Sequence, residues 1–580
     1  MIIRIFKKNK LSKRNSFVEP DEIFLDAKNI QNFDVQQFEG RLEKPISKRI
    51  IYFLGFIFSL IIFVFGSRLF SLQIKEGEAY FKRSENNKLD EVIIFADRGI
   101  IYDRNKVELA WNTKIPNQEL IESEINFENQ NQEEFTSVRN YLNGGFSHVL
   151  GYVASPQSDK TGKYWQTDFI GKDGLEKVYD DRLKGKNGSK IVEVDAKGQI
   201  HSFNIVNPPE RGPELNTTLD SRINKAMFNK IKENASAYGY KGGVGIIMDI
   251  KNGEILGATS YPEYDSNILS KGEDKSTIAN YINDSRKVFL NRITAGLYTP
   301  GSIVKPFFAF GALNEGIINP NKQILSTGSI SIPNPYFPGQ STVFKDWKAH
   351  GYTDMAEAIA VSSDVYFYTI SGGFGDQKGL GISRLEKYAK MFKIGEKTGI
   401  DLPSEKEGII PNPEWKAKNF NGEIWRIGNT YHTSIGQYGF QVTPLEMVRA
   451  TASLANGGTF VTPHFLLEDQ EAKNAFEKIE LNPEYLKVVY SGMRQAVTSG
   501  TATPLNVDYV NIAAKTGTAQ LGVLKNRVNS WTIGFFPYEN PKYAFAIMME
   551  SGPSSGALGA AAVMRQVFDD IHTQTDEYFQ

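Results

Sequence analysis

Residues Thr299–Leu313 read TPGSIVKPFFAFGAL, and this stretch joins a turn to a strongly apolar run. Thr-Pro-Gly ends the preceding segment, Ser302 suits the N-cap of a helix, and the residues from Phe307 onward predict that the helix enters a core. Pro306 has no N–H to donate to the Ser302 carbonyl. The first turn is therefore predicted to be tight, with an exposed serine.

Ser302 and Lys305 form the only Ser-x-x-Lys in the chain. The i, i+3 spacing of a helix would place the Lys305 amine beside the Ser302 hydroxyl. A nucleophilic serine needs a base, and burial at the head of a core helix with a second cation nearby would favour a neutral lysine that accepts the serine proton. A capping serine followed by a surface lysine is the alternative explanation of this pattern.

A second polar motif, Ser362-Ser363-Asp364, lies inside AIAVSSDVYFYTI, between two strongly apolar stretches. Buried hydroxyl groups need polar partners, so the motif predicts polar groups inside a cleft. A helix-capping pair between two core helices is the alternative.

The third motif, Lys515-Thr516-Gly517-Thr518, follows the apolar segment VNIAA and predicts a strand. At a sheet edge this strand would offer unpaired backbone groups to an extended peptide, Lys515 would supply a cation and Gly517 would allow close approach. The arrangement suits a peptide carboxylate. Lys-Thr-Gly also occurs at residues 160–162 and 397–399, and a plain strand-to-turn transition is the alternative here.

Two predicted hairpins enclose the region that carries these motifs. Residues 242–261 alternate apolar and polar side chains around Lys-Asn-Gly, and residues 530–550 form two β-rich runs joined by a Pro/Asn turn. The stretch between about 294 and 500 is mostly helical and loop-rich, and residues 557–571 predict an amphipathic helix. Strands at both ends with helices between them indicate an α+β fold whose sheet pairs strands distant in sequence.

Composition excludes several classes of function. The 580-residue chain carries 66 Lys and Arg against 67 Asp and Glu, which argues against nucleic-acid binding. It has no cysteine, which excludes disulfides, a cysteine nucleophile and thiolate metal sites. No two of its six histidines are closer than 32 residues, and Asp346 with His350 is too little for a metal site. No metal or other cofactor is predicted.

The N-terminal region predicts a membrane anchor. Residues 50–67 read IIYFLGFIFSLIIFVFGS without a charge, which predicts a transmembrane helix over residues 50–70. A core helix rarely lacks every polar position over five turns, and a cleaved signal peptide has a shorter apolar region nearer residue 1. Basic residues crowd the preceding segment, so residues 1–49 are predicted to be a cytoplasmic tail and the rest to lie outside the plasma membrane.

The outer part predicts two domains behind a single membrane span, because no later segment is apolar enough to cross again. Residues 71–215 are rich in strands and turns and predict a spacer domain. The segment NPPERGPELN, at residues 207–216, breaks periodicity and marks the boundary. A helix that opens near Asp220, a suitable N-cap, begins the larger domain, residues 216–580.

The order of the three motifs is more specific than any one of them. Ser-x-Asp begins 60 residues after Ser302 and Lys-Thr-Gly 153 residues further on, an order found in penicillin-binding proteins and serine β-lactamases. Beyond the anchor, nearly all of the chain resembles a class B penicillin-binding protein. Further segments that resemble that family are residues 98–110, 171–188, 215–220, 398–405 and 441–458. SSDVYFY and KTGTAQ resemble most the penicillin-binding protein 2 branch, which builds the lateral wall of rod-shaped cells.

The resemblance implies an α+β, β-lactamase-like transpeptidase domain on an elongated β-rich pedestal, with a single N-terminal transmembrane helix. It implies a peptidoglycan D,D-transpeptidase in which Ser302 attacks the penultimate D-Ala carbonyl of a stem peptide and Lys305 is the base. Ser362 would relay protons to the leaving amine. Asp364, where the family's usual motif ends in Asn, would order the lysine cluster.

The third motif is assigned by the same resemblance to the substrate. Lys515, Thr516 and Thr518 would hold the substrate carboxylate beside Gly517, and the backbone amides of Ser302 and Thr518 would form the oxyanion hole. Stem peptides, β-lactam antibiotics, the plasma membrane and a SEDS-family glycosyltransferase are the implied partners, with no nucleic acid. Two alternatives remain: a β-lactamase or β-lactam sensor, and a membrane scaffold that activates the glycosyltransferase.

Overall fold

The structure is a computed structural model that describes residues 48–86, 89–116, 135–160, 164–194, 200–334, 337, 339–469, 476–522 and 524–580. The chain divides into two compact units, Met1–Leu89 and Asp90–Gln580. The domain boundary predicted at residues 215–216 lies inside the second unit and stays a prediction. The predicted tail, residues 1–49, lies outside the described residues except for Lys48 and Arg49.

The first unit is helical from Lys48 to Asn86. Helix α1, Lys48–Phe70, continues through a π-helical turn, Ser71–Lys75, and is followed by α2, Gly77–Asn86. Within the described residues, one helical run, Arg49–Lys75, is long and apolar enough to cross a membrane. Its large apolar side chains are exposed all round, as a helix surrounded by lipid requires. This finding is consistent with the predicted single-pass anchor.

The chain from residue 89 to residue 216 is rich in short strands. Its strands are β1 (Leu89–Ile94), β2 (Ile101–Tyr102), β3 (Glu108–Pro116), β4 (Phe135–Tyr141), β5 (Val153–Ala154), β6 (Gln157–Ser158), β7 (Tyr164–Gln166), β8 (Ile170–Gly171), β9 (Gly188–Val194), β10 (Ile200–Asn207) and β11 (Leu215–Asn216), with helices α3 (Ser147–Leu150), α4 (Gly174–Val178) and α5 (Asp180–Leu183). The two larger sheets have the orders β1-β9-β10 and β11-β2-β3-β4.

A buried ion network holds this β-rich part together. Glu176 on α4 accepts from Arg98 Nε at 2.5 Å and from Arg139 Nε on β4 at 2.8 Å, and Arg98 also contacts Asp180 at 2.8 Å. Burial alone would raise the pKa of Glu176, but Arg139 and Arg98 together lower it, so the carboxylate is ionised. Removing one partner of such a buried pair costs about 3–5 kcal/mol, because the other charge is then left buried without a counter-ion.

The remaining part of the second unit is mixed α and β. Its elements are α6 (Ser221–Tyr238), β12 (Gly242–Asp249), β13 (Ile255–Tyr261), α7 (Ser266–Lys271), α8 (Lys275–Asn283), a 3₁₀ turn (Gly301–Val304), α9 (Lys305–Asn314), β14 (Ile324–Ser326), β15 (Ser329–Pro333), β16 (Ser341–Lys345), β17 (Gly351–Thr353), α10 (Met355–Ala360), α11 (Asp364–Gly372), α12 (Ile382–Met391), α13 (Pro413–Asn419), α14 (Ile427–Ser434), α15 (Pro444–Ala455), β18 (Thr459–Val461), β19 (Phe476–Lys478), α16 (Pro483–Thr498), a 3₁₀ turn (Thr503–Leu505), β20 (Ala513–Leu521), β21 (Arg527–Phe536), β22 (Tyr543–Pro553) and α17 (Ala560–Gln574).

A five-stranded sheet with the order β13-β12-β22-β21-β20 forms the centre of this part. Both predicted hairpins are confirmed, since β12 pairs with β13 and β21 with β22, and β12 also pairs with the distant β22. Both faces of the sheet are covered, because Ile246 packs in one core with α15 and Ile247 in another with α6 and α17. The predicted cap of α6 is also confirmed: the Asp220 carboxylate accepts from the backbone N–H of Arg222.

Candidate active site

Ser302 lies in the 3₁₀ turn Gly301–Val304, and helix α9 begins only at Lys305. The prediction that Ser302 caps this helix is therefore wrong. The reason is Pro306, which cannot donate to the Ser302 carbonyl; the N–H of Lys305 donates to it instead and closes the tighter turn. The predicted tight turn is thus present, and Ser302 is half-buried while its neighbours in the turn are buried.

Backbone contacts hold this turn in place. Gly301 adopts a left-handed conformation with φ +61°, and its N–H donates to the Gly436 carbonyl at 3.0 Å. Gly436 is itself left-handed, and a Cβ atom there would lie 2.2 Å from the Gly301 carbonyl oxygen. Only glycine fits at such an approach. The loop after α14 therefore supports the Ser302 turn, a contact that sequence reasoning missed.

Lys305 is completely buried, and its ammonium group has three acceptors. It donates to the Ser362 carbonyl at 2.8 Å, to Ser362 Oγ at 3.3 Å and to Asp364 Oδ1 at 2.6 Å. Among the described residues, no hydrogen bond joins the Lys305 ammonium to Ser302 Oγ. The first and second motifs thus meet at Lys305. The hydrogen-bond partners of its ammonium group are Ser362 and Asp364 and not the predicted Ser302 hydroxyl.

The second motif has an unusual backbone. Ser362 has φ +58°, a left-handed conformation that a serine adopts at a cost of about 1–2 kcal/mol. It lies between α10 and α11 and is buried. Ser363 caps α11, because its hydroxyl accepts from the N–H of Tyr366 at 3.3 Å. The capping alternative considered for this motif therefore describes Ser363, whereas the Ser362 hydroxyl faces Lys305.

Asp346 supports this motif, and sequence reasoning missed that role. Its Oδ2 accepts from Ser363 Oγ at 2.9 Å and from the Val365 N–H at 3.0 Å. Burial alone would raise the pKa of Asp346, but the hydrogen bonds from Val365 and its neighbours and the charge of Lys305 lower it. Asp346 lies in a polar connection after β16 where no periodic pattern marks it.

His350 lies 3.4 Å from Asp346 Oδ1 through its Nε2. Burial lowers the pKa of His350 more than the Asp346 charge raises it, which favours the neutral ring. Within the described ranges, no group of three or more His, Cys, Asp and Glu side chains could hold a metal ion.

The third motif forms part of β20, which lies at the edge of the five-stranded sheet, as predicted. A Cβ atom on Gly517 would lie 2.8 Å from the Pro300 carbonyl oxygen and 2.9 Å from the Ile303 side chain. The missing side chain therefore lets β20 lie against the turn that carries Ser302. The close approach predicted for Gly517 is thus used within the protein itself.

The side chains of β20 differ in their access to solvent. Lys515 is completely buried and donates to the Thr516 carbonyl at 2.8 Å. Burial and the charge of Lys305 lower the pKa of Lys515 well below its usual value, against the opposing effect of Asp364. The half-buried Thr516 donates to Thr501 Oγ1 at 2.6 Å, whereas Thr518 is exposed. A molecule lying along this edge would meet Thr518 directly.

Two family models match this chain. The model described as penicillin binding protein transpeptidase domain covers residues 243–570, and the model described as penicillin-binding protein dimerisation domain covers residues 132–217. The peptidoglycan D,D-transpeptidase MrdA of Acinetobacter baumannii is 31% identical, over 92% of this chain and 88% of its own length.

Two solved structures support the same relationship. The penicillin-binding protein PBP2 of Helicobacter pylori, solved in complex with MreC, is 29% identical over 84% of this chain and 99% of that chain, with a TM-score of 0.65. The second structure is described as "Structural coordination of polymerization and crosslinking by a peptidoglycan synthase complex". One of its chains is 26% identical to this chain, over 90% of this chain and 98% of that chain, with a TM-score of 0.66.

The fold, the three motifs and these similarities define a protein with three parts: an N-terminal apolar helix, a dimerisation-type pedestal domain and a transpeptidase domain. The chain belongs to the penicillin-binding protein family, and within that family it is of the penicillin-binding protein 2 type. The predicted family and fold class are confirmed.

Proposed function

We propose that this chain is a peptidoglycan D,D-transpeptidase with Ser302 as its nucleophile. The observation that carries the proposal is the meeting of three motifs that are far apart in sequence. Lys305 donates to Ser362 and Asp364, while Gly517 of β20 lies against the turn of Ser302. A hydroxyl on a tight turn, a buried amine and an edge strand beside them are what serine acyl transfer to and from a peptide needs.

The first half of the reaction forms an acyl-enzyme. Ser302 Oγ attacks the carbonyl of the penultimate D-Ala of a stem peptide, and Lys305, in its neutral form, accepts the serine proton. The N–H groups of Ser302 and Thr518 bind the oxyanion of the tetrahedral intermediate. The C–N bond then breaks. Ser362 gives its hydroxyl proton to the leaving D-Ala amine and takes the proton held by Lys305 in exchange, so that Lys305 is neutral again.

The second half resolves the ester. An amine of a neighbouring stem peptide attacks the acyl carbon and gives up a proton to Lys305 through Ser362. Ser302 Oγ is displaced and takes this proton from Lys305, which regenerates the starting enzyme. Asp364 stays hydrogen-bonded to Lys305 and balances its charge whenever Lys305 holds the proton. The products are a cross-linked peptide and the free enzyme.

Substrate binding uses the edge of β20. The stem peptide lies along the strand as an additional strand, with its terminal carboxylate near Thr516 and Thr518. Lys515, a buried residue of the same strand, contributes the positive charge. Burial and the charge of Lys305 lower the pKa of Lys515, and an arriving carboxylate acts in the opposite direction, since an opposite charge favours the ammonium ion.

The test of this proposal is mass spectrometry of the purified full-length protein after exposure to a penicillin. We expect one covalent adduct, on Ser302, that persists for many minutes. Hydrolysis would need a base aimed at water, and the carboxylate of the three motifs, Asp364, is engaged by Lys305 at 2.6 Å. An adduct on another residue would refute the assignment, and rapid multiple turnover of the penicillin would favour a β-lactamase.

The predicted domains and partners follow from the same proposal. Residues 71–215 form the pedestal and residues 216–580 the transpeptidase domain. A SEDS-family glycosyltransferase is the proposed membrane partner, supported by the similarity to a chain of a peptidoglycan synthase complex that coordinates polymerization and crosslinking. Co-purification of a glycosyltransferase with the full-length protein from solubilised membranes checks this partner, and its absence under conditions that keep the membrane complex intact would count against it.

The proposed topology places the N-terminus in the cytoplasm and the catalytic domain outside the plasma membrane. Basic residues precede the apolar helix, and such residues are retained on the cytoplasmic side. We expect protease added to wall-stripped cells to digest the chain beyond Leu72 and to leave residues 1–49 intact. Digestion of the first 49 residues alone would reverse the topology.

A further inference from the structure

The Asp346 carboxylate collects hydrogen bonds at the start of α11. Its Oδ2 accepts from Ser363 Oγ at 2.9 Å, from the Val365 N–H at 3.0 Å and from Ser326 Oγ on β14 at 3.2 Å. Its Oδ1 accepts from the N–H of Trp347 at 2.8 Å. The side chain is completely buried, so these hydrogen bonds replace those that water would make to the carboxylate.

The residues that Asp346 holds are the neighbours of the proposed catalytic groups. Ser363 and Val365 flank Asp364, and Ser363 directly follows Ser362. Ser362 keeps a left-handed backbone, φ +58°, which lasts only where surrounding contacts impose it. Among the described residues, Asp346 makes no hydrogen bond to Ser302, Lys305 or Lys515. It can affect the reaction through the hydrogen bonds that hold the start of α11 and through the attraction between its charge and that of Lys305.

We infer that Asp346 is a positioning residue of the transpeptidase, whose carboxylate fixes the start of α11 so that the Ser362 hydroxyl and the Asp364 carboxylate meet Lys305. This inference rests on the proposed function, in which those groups move the proton of the Ser302 reaction. It adds a residue outside the three motifs to the machinery of the site.

An asparagine of the same shape cannot replace this carboxylate. Every hydrogen bond that Asp346 makes through Oδ1 and Oδ2 is one that it accepts. An amide offers one oxygen and one NH₂ group. In one orientation the NH₂ group would face the N–H of Trp347 and in the other the N–H of Val365, and neither of these groups can accept a hydrogen bond. Asp346→Asn would also remove a negative charge from the N-terminus of α11, where such a charge is favourable.

The test measures acylation of the full-length protein by a fluorescent penicillin over a range of concentrations. This separates the acylation rate constant from the dissociation constant of the initial complex. For Asp346→Asn we expect a rate constant lower by about 10- to 100-fold, because a small misplacement of catalytic groups has effects of this size. The dissociation constant stays within about twofold, since the binding edge of β20 is unchanged.

Asp354→Asn is the matched control. Asp354 caps the neighbouring helix α10 by accepting from the N–H of Glu357, and it has no contact with the Lys305 cluster. Asparagine caps a helix about as well as aspartate does, so this variant removes a nearby carboxylate charge but should fold and acylate as the wild type does. If Asp346→Asn does not fold, Ser363→Ala, which removes one of the Asp346 hydrogen bonds, is measured in its place and should also lower the rate constant.

The outcomes separate this inference from the proposed function. A wild-type rate constant in Asp346→Asn, or in Ser363→Ala where the first variant does not fold, overturns the inference. An equal loss in Asp354→Asn also overturns the inference, because the effect is then not specific to the Asp346 carboxylate. A wild-type protein that is not acylated on Ser302 overturns the proposed function itself, and this inference with it.

Discussion

Ser302→Ala is expected to abolish covalent labelling by penicillin and to lower cross-linking of stem peptides by at least about 10⁴-fold, because no acyl-enzyme can form without the hydroxyl. The fold should survive, since Ser302 Oγ makes no hydrogen bond among the described residues and is half-buried. Labelling with a fluorescent penicillin on gels and a cross-linking assay with purified stem peptides measure the two effects.

The matched control for this change is Ser276→Ala. Ser276 is an exposed serine at the start of α8 that donates to Asp274 at 2.8 Å. It should label and cross-link as the wild type does. Residual labelling of Ser302→Ala at more than a trace would mean that another hydroxyl is the nucleophile, and full cross-linking by that variant would favour the scaffold alternative.

Lys305→Ala is expected to lower the rate of acylation by about 10³-fold, which is within the range for loss of a general base. The variant loses the amine that accepts the proton and also the group that binds the Ser362 hydroxyl. Stopped-flow acylation with a chromogenic β-lactam gives the rate. The dissociation constant of the initial complex should change far less, since substrate recognition is assigned to β20.

Lys305→Ala should also lower the stability of the protein, because Lys305 is completely buried and is the ionic partner of Asp364. Breaking a buried ion pair costs about 3 kcal/mol or more, reduced here because Asp364 is partly exposed and can be solvated. Thermal unfolding should therefore be recorded with the kinetics. Lys348→Ala is the control, since Lys348 is a nearby exposed cation over the Trp347 ring. Comparable acylation by Lys305→Ala and the wild type would exclude Lys305 as the base.

The two cations of the site have different surroundings. Lys305 has a carboxylate partner, Asp364, whereas Lys515 is buried with only a backbone carbonyl as its hydrogen-bond acceptor among the described groups. The lowered pKa of Lys515 reflects this difference. In the proposed mechanism the paired lysine, Lys305, moves the proton, and the desolvated lysine, Lys515, responds to the charge of the bound carboxylate.

The local sequence determined the parts of this protein that depend on neighbouring residues. The uncharged run at residues 50–67 predicts α1, the alternation at residues 242–261 predicts the β12–β13 hairpin, and Asp220 marks the start of α6. These features follow from periodicity, turn residues and capping, which act over a few residues. The order of the three motifs was also present in the sequence, and it indicated the family.

Tertiary structure alone decided how the motifs meet. Helical spacing predicted Ser302 as the neighbour of Lys305, but the chain folds back so that Ser362 and Asp364, 57 and 59 residues away, supply the acceptors for its ammonium group. Asp346 and Gly436 also reach the site only through packing. A buried charge must find acceptors wherever the fold brings them, and those contacts lie between elements distant in sequence, where no local periodicity records them.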